Sequence, residues 1–96
     1  MVLPTLILEH RDEILKIAAR HGASDVRLFS SFARGDQHER SDVDFLIRAG
    51  PRTSSWFPAG LVVDLEELLG RQVQVVTERA LHPLLRDEVL REALPL

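Results

Sequence analysis

A chain of 96 residues builds one domain around a modest core and leaves no room for a second, substrate-bearing domain, so residues 1–96 are read as a single domain and any acceptor in a reaction comes from another molecule. With no cysteine, disulfides and thiolate metal sites are excluded, which accords with a reducing cytoplasm. A net charge of -3 argues against sequence-independent binding to nucleic acid, which relies on basic patches to displace counterions.

The opening run Met1 to Leu8 is mildly apolar, but it lacks a basic n-region and a small-residue cleavage site and is far short of a membrane span. A soluble cytoplasmic protein without a membrane partner is expected. The first helix is expected from about Leu6 to Arg20, because Ile7, Ile14, Ile17 and Ala18 recur at helical spacing; Thr5 is a candidate cap and Gly22 a left-handed stop. Val26 to Phe29 reads as a short strand that delivers Ser30 and Ser31 to a turn. A short helix from Phe32 to Arg34 follows, ended by Gly35, and then a polar loop from Asp36 to Arg40.

From Val43 to Ile47 the chain reads as a second strand. Asp42 and Asp44 alternate with Val43, Phe45 and Ile47, so a period-2 strand holds both carboxylates on one face. Ala49 to Ser55 is an exposed connection rich in Gly, Pro, Thr and Ser. Trp56 to Leu69 is helical in pattern, with Phe57, Leu61, Leu65 and Leu68 on one stripe and Asp64, Glu66 and Glu67 on the solvated side. Trp56 suits either the core or a partner surface, and core or boundary packing is the assignment taken. Gln72 to Val76 forms the third strand, with Gln74 on the face opposite Val73 and Val75. Thr77 is a candidate cap, and Leu81 to Leu94 ends the chain as helix, with Pro83 tolerated near its start. Alternating strands and helices give a small α/β or α+β domain with a mixed sheet.

Chemistry concentrates in Phe29-Ser30-Ser31-Phe32-Ala33-Arg34-Gly35 and in Ser41-Asp42-Val43-Asp44. A hydroxyl residue and free backbone N–H groups at a strand-to-helix turn suit anionic oxygens. Two adjacent carboxylates suit Mg²⁺, commonly held by one or two carboxylates together with nucleotide phosphates. The plainer alternatives are a charged strand edge for the two aspartates, a helix cap for Ser31, an ion pair with Asp36 or Asp42 for Arg34, and an ordinary polar strand residue for Gln74. His10, His21, His38 and His82 lack ligand spacing and are read as surface residues.

In Ser31, Arg34, Gly35, Asp42 and Asp44 the chain resembles the DNA polymerase beta-like nucleotidyltransferase superfamily, and in particular its minimal nucleotidyltransferase branch. That resemblance implies a nucleotidyltransferase fold, ATP and Mg²⁺ as cofactors, phosphate binding at Ser30, Ser31, Arg34 and Gly35, and metal binding at Asp42 and Asp44. It also implies an antitoxin that transfers AMP to a tyrosine of a HEPN-domain toxin. Two positions depart from the family pattern. Ser30 stands where the family has glycine, and Gln74 stands where it has a third catalytic aspartate, which sets a catalytically weak antitoxin acting by binding alone against the enzyme reading. A partner protein is expected to cover an apolar surface formed partly by the last helix and Leu94-Pro95-Leu96.

Overall fold

In the computed structural model, which describes residues 3–38 and 41–96 (for Ser31 the backbone only), the most heavily buried element is the strand that carries Asp44 and follows Asp42. Strand β2 (Val43–Ala49) buries Val43, Phe45 and Ile47 on one face and Leu46 on the other, all at 1% exposure or less. Such two-sided burial belongs to a central strand. It lies between β1 (Ala23–Phe29), to which it is antiparallel, and β3 (Val73–Thr77), to which it is parallel. A short β4 (Leu94–Pro95) completes the mixed order β3-β2-β1-β4.

One face of the sheet is covered by helices. The parallel β2–β3 pair requires a crossover, and α4 (Ala59–Leu69) supplies it, burying Leu61, Leu65 and Leu69. Beside it, α2 (Arg11–Arg20) buries Ile14, Ile17 and Ala18. These side chains pack with Leu28, Phe45, Ile47 and Val73 into one core. Each fully buried Leu, Ile or Phe contributes roughly 1.5–3 kcal/mol. None of the helices among the described residues is long and apolar enough to cross a membrane.

Several local expectations are corrected. The first helix is two, α1 (Thr5–Glu9) and α2, because His10 leaves helical geometry at φ -113° and its Nδ1 bonds the Leu6 carbonyl at 2.9 Å. Thr5 makes no cap bond, Pro4 taking that position. Gly22 is left-handed as expected (φ 85°), and the 51–55 connection passes so close that an added Cβ would collide with the Arg52 backbone. Trp56 is 87% exposed and left-handed (φ 62°), so α4 begins only after Pro58 and the tryptophan is not a core residue.

His21 is no surface residue either. Its Nδ1 meets the Ser54 hydroxyl at 2.5 Å and its Nε2 meets Asp64 at 2.7 Å, tying the 51–55 connection to α2 and α4. Asp64 and Glu66, expected on a solvated face, both have structural partners, Glu66 accepting from the Val73 N–H at 3.1 Å. Thr77 caps nothing through its side chain. After a 3-10 turn (Glu78–Ala80), α5 (Pro83–Glu92) is capped by His82, whose Nδ1 accepts from the Leu84 N–H at 3.1 Å. The last residues are not helical: Leu94 pairs with Leu28, Pro95 with Arg27, and the Leu96 N–H donates to the Val26 carbonyl at 3.0 Å. A strand edge with free donors recruits a partner strand more readily than a helix fills that space. The carboxyl-terminal tail is thus part of the sheet rather than a free docking segment.

Candidate active site

The site is assembled where β1 ends and β2 begins. Strand register sets Asp44 between Phe29 of β1 and Gln74 of β3. Side chains in register on adjacent strands share a face, and so do residues two apart on one strand. Asp42, Asp44 and Gln74 therefore converge on the sheet face opposite α2 and α4. The convergence is closed by a hydrogen bond, Gln74 Nε2 donating to Asp42 Oδ2 at 3.2 Å. Just before β2, the Val43 N–H donates to the Gln72 carbonyl at 2.9 Å, which fixes Asp42 at the strand entrance.

Ser30 forms the other wall. It adopts φ 61°, a left-handed conformation usual for glycine and costly for other residues. Its carbonyl then accepts from the N–H groups of Ala33 and Arg34 at 3.1 Å each and starts α3 (Ser31–Arg34). Its hydroxyl acts on Asp44, lowering that carboxyl's pKa. The departure from glycine thus has an electrostatic consequence: the hydroxyl opposes the rise in the Asp44 pKa. The sequence signal was present, a serine at a position demanding positive φ, but the partner was not readable from it.

Burial raises the Asp44 pKa above the ordinary 3.8, opposed by the Ser30 hydrogen bond and reinforced by the neighbouring charge of Asp42. This is the electrostatic state of a carboxylate pair that a cation would relieve. Asp42 and Asp44 supply two hard oxygen donors, and Gln74 offers an amide oxygen if its carboxamide turns away from Asp42. Among the described residues no group of three or more His, Cys, Asp or Glu side chains is placed to hold a metal. The donor set fits a divalent ion that completes its shell with phosphate oxygens rather than one caged by protein alone.

Of the remaining predicted residues, Gly35 ends α3 at φ 79°, with nothing within 4 Å of an added Cβ, so conformation and not space demands glycine. Arg34 pairs with Asp36 at 3.3 Å and Glu92 at 3.7 Å, not with Asp42. The Ser31 side chain lies outside the described residues. Phe32 and Ala33 are buried and anchor α3, and the Arg71 guanidinium stacks over the Phe32 ring at 5.3 Å while donating to the His38 carbonyl at 3.1 Å. Sequence reasoning missed this clamp, which joins the turn to the loop before β2.

The stretch that contains this turn and strand falls within the match to a family model. The model described as nucleotidyltransferase domain covers residues 11–96. The chain belongs to the nucleotidyltransferase family. Among curated relatives of this nucleotidyltransferase, a Methanocaldococcus jannaschii protein named "Putative protein adenylyltransferase" is 40% identical over 87 residues, 91% of this chain and 94% of the relative. "Protein adenylyltransferase MntA" of Thermococcus cleftensis is 31% identical over 90 residues, 94% of this chain and 88% of the relative. A solved structure described as a "putative minimal nucleotidyltransferase" superposes with a TM-score of 0.86 at 47% identity, covering 100% of this chain and 97% of that one. A chain from a toxin-antitoxin structure with AMP-PNP shares the fold at a TM-score of 0.74 and 23% identity, covering 88% of this chain and 69% of that one. The mixed-sheet nucleotidyltransferase fold and the branch to which the sequence motif pointed are both borne out.

Proposed function

We propose that this nucleotidyltransferase binds Mg-ATP at Asp42 and Asp44 and transfers AMP to a tyrosine hydroxyl of a partner toxin, a HEPN-domain protein, thereby acting as an antitoxin in the cytoplasm. The observation that carries the reading is the placement of Asp44 in register with Phe29 and Gln74, beside Asp42 and next to the Ser30 turn. The adenylyltransferase names of two relatives and the toxin-antitoxin structure sharing the fold support the direction. When bound, the metal neutralises charge on the triphosphate.

In the transfer, the acceptor oxygen forms a bond to the α-phosphorus, the bond from that phosphorus to the bridging oxygen breaks, and pyrophosphate departs. The hydroxyl proton is released to water, since an amide such as Gln74 does not accept it near neutral pH. The residues of this chain act by positioning: backbone N–H groups of the Ser30 turn would receive the phosphates, Asp42 and Asp44 would hold the cation, and the Ser30 hydroxyl opposes the rise in the Asp44 pKa.

A second reading is favoured by one observation: Gln74 donates to Asp42 where a third carboxylate would repel it. In that reading the domain keeps nucleotide binding and neutralises its partner by association alone. Mixing the protein with Mg²⁺, radiolabelled ATP and a helical candidate toxin decides between them. Label on a partner tyrosine, lost with Asp42→Asn plus Asp44→Asn, supports transfer. A stable complex without label supports binding alone, and neither label nor complex refutes both.

A further inference from the structure

At the opposite end of the same sheet face lies a basic cavity. It has a volume of about 310 Å³ and is lined by Arg48, Ala49, Thr77, Glu78, Arg79 and Arg86. Strand periodicity places Arg48 on the Asp44 face, four residues farther along β2, which is about 13 Å at 3.3 Å per residue. Between the two positions lie Leu46, fully buried, and its half-buried register partner on β3, Val76.

Charge is distributed unevenly around this cavity. Arg27 donates to Glu78 Oε1 at 2.7 Å, and Arg48 reaches Glu78 Oε2 at 3.1 Å and Asp25 at 3.3 Å. These contacts hold the Glu78 pKa below its ordinary value, so the carboxylate stays ionised and is already committed. Arg86 spends one donor on the Glu78 carbonyl at 3.1 Å, and Arg79 has no hydrogen-bond or ion-pair partner among the described residues. The lining thus holds three arginines, Arg48, Arg79 and Arg86, against one carboxylate, Glu78, a local positive excess in a chain of net charge -3.

We propose that this cavity is an acceptor-docking subsite that binds an acidic peptide segment of the partner protein, holding the hydroxyl to be modified over Asp44 and Gln74. This deepens, and rests on, the adenylyl-transfer reading. A carboxylate matches a guanidinium fork one to one. A polyanion such as RNA instead meets Glu78 in the cavity wall and a chain of negative net charge. The spacing specifies the ligand: an extended peptide rises about 3.3 Å per residue, so its acidic residue lies about four positions from the acceptor hydroxyl.

The test uses fluorescently labelled peptides with a central tyrosine and glutamates four positions to either side, against the same peptides with glutamines. Anisotropy should show salt-sensitive binding of the glutamate peptide alone. Arginine side-chain NMR shifts should map to Arg79 and Arg86. Arg79→Ala plus Arg86→Ala should weaken binding by about tenfold or more, with the circular dichroism spectrum and Mg-ATP affinity unchanged. No binding of the glutamate peptide, equal binding of the glutamine peptide, an undiminished double variant, or preference for an RNA oligonucleotide each overturns the proposal. Glutamate-peptide binding without Mg-ATP binding overturns the adenylyl-transfer reading and leaves the cavity standing; the reverse outcome removes the cavity alone.

Discussion

Replacing Ser30 by glycine separates the two consequences of this position. In the folded protein Ser30 sits at φ 61°, a conformation that costs a non-glycine residue about 1–2 kcal/mol. Glycine removes that cost but adds about 0.5–1 kcal/mol of backbone entropy in the unfolded chain. It also loses the bond to Asp44, worth about 1 kcal/mol at a half-buried site, below the range for fully desolvated charged hydrogen bonds. The three terms nearly cancel, so urea denaturation should show Ser30→Gly within about 1 kcal/mol of wild type. Ser30→Ala keeps the strain and loses the bond, so it should be the less stable of the two, by about 1 kcal/mol. The electrostatic effect does not cancel. The Ser30 bond lowers the Asp44 pKa against burial and Asp42, so both variants should titrate Asp44 at higher pH, measured by carboxyl ¹³C NMR. The linkage sign follows. With its folded pKa raised above 3.8, Asp44 contributes stability that is full below the unfolded value and lost as pH rises through the folded one. In the variants that window extends to higher pH. An Asp44 titration that stays put or moves down in both variants would refute the reasoning, as would a glycine variant less stable than the alanine one.

Asp42→Asn plus Asp44→Asn should remain folded and be at least as stable as wild type at pH 7, because it removes a like-charge pair, while amide NMR shifts caused by Mg-ATP at the Ser30 turn disappear. Gln74→Asp should raise AMP transfer to the true acceptor by up to ~10²–10⁴-fold, the usual worth of general-base assistance, with little change in nucleotide affinity in a calorimetric titration; strong wild-type transfer that the variant does not improve would show that another group has taken that role. Glu78 has a lowered folded pKa through Arg27 and Arg48, so its contribution is present above the ordinary 4.5 and lost as pH falls through the folded value. Glu78→Gln should therefore cost about 1–2 kcal/mol at pH 7, less than a fully buried pair because Arg48 is 60% exposed, and the deficit should shrink in acid-denaturation curves. Deleting residues after Arg91 should remove β4, open the β1 edge and lower the thermal midpoint, and the truncated chain should self-associate in analytical ultracentrifugation.

Strand periodicity made the essential geometry legible. Asp42 and Asp44 alternate with apolar residues, and the apolar set has one place to go, so the face they share follows from the sequence. Gln74 was legible for the same reason. What could not be read were contacts between residues far apart in sequence. Nothing local shows that His21 reaches Ser54 and Asp64, or that Arg27 and Arg48 share Glu78. Trp56 misled because helical spacing continues through it, while Pro58 and a left-handed φ place it outside the helix. The tail was not legible because helical spacing runs on past Glu92, while the open edge of β1, a feature of the folded sheet, draws Leu94 and Pro95 into a strand.

The replacement of the third carboxylate and the retention of the first two bear on one another. Asp44 is already burdened by burial and by Asp42. A third carboxylate in register at position 74 would add a second like charge and push its pKa further up, a state tolerable only when a cation is bound. Gln74 instead donates to Asp42, stabilising the pair in the metal-free protein at the expense of proton abstraction. The site is therefore expected to be more stable without metal than a three-carboxylate site and slower in transfer. Comparing thermal midpoints of wild type and Gln74→Asp with and without Mg²⁺ checks this: the variant should be the less stable without the ion and should gain more from it. Equal gains would mean that position 74 does not feel the bound charge.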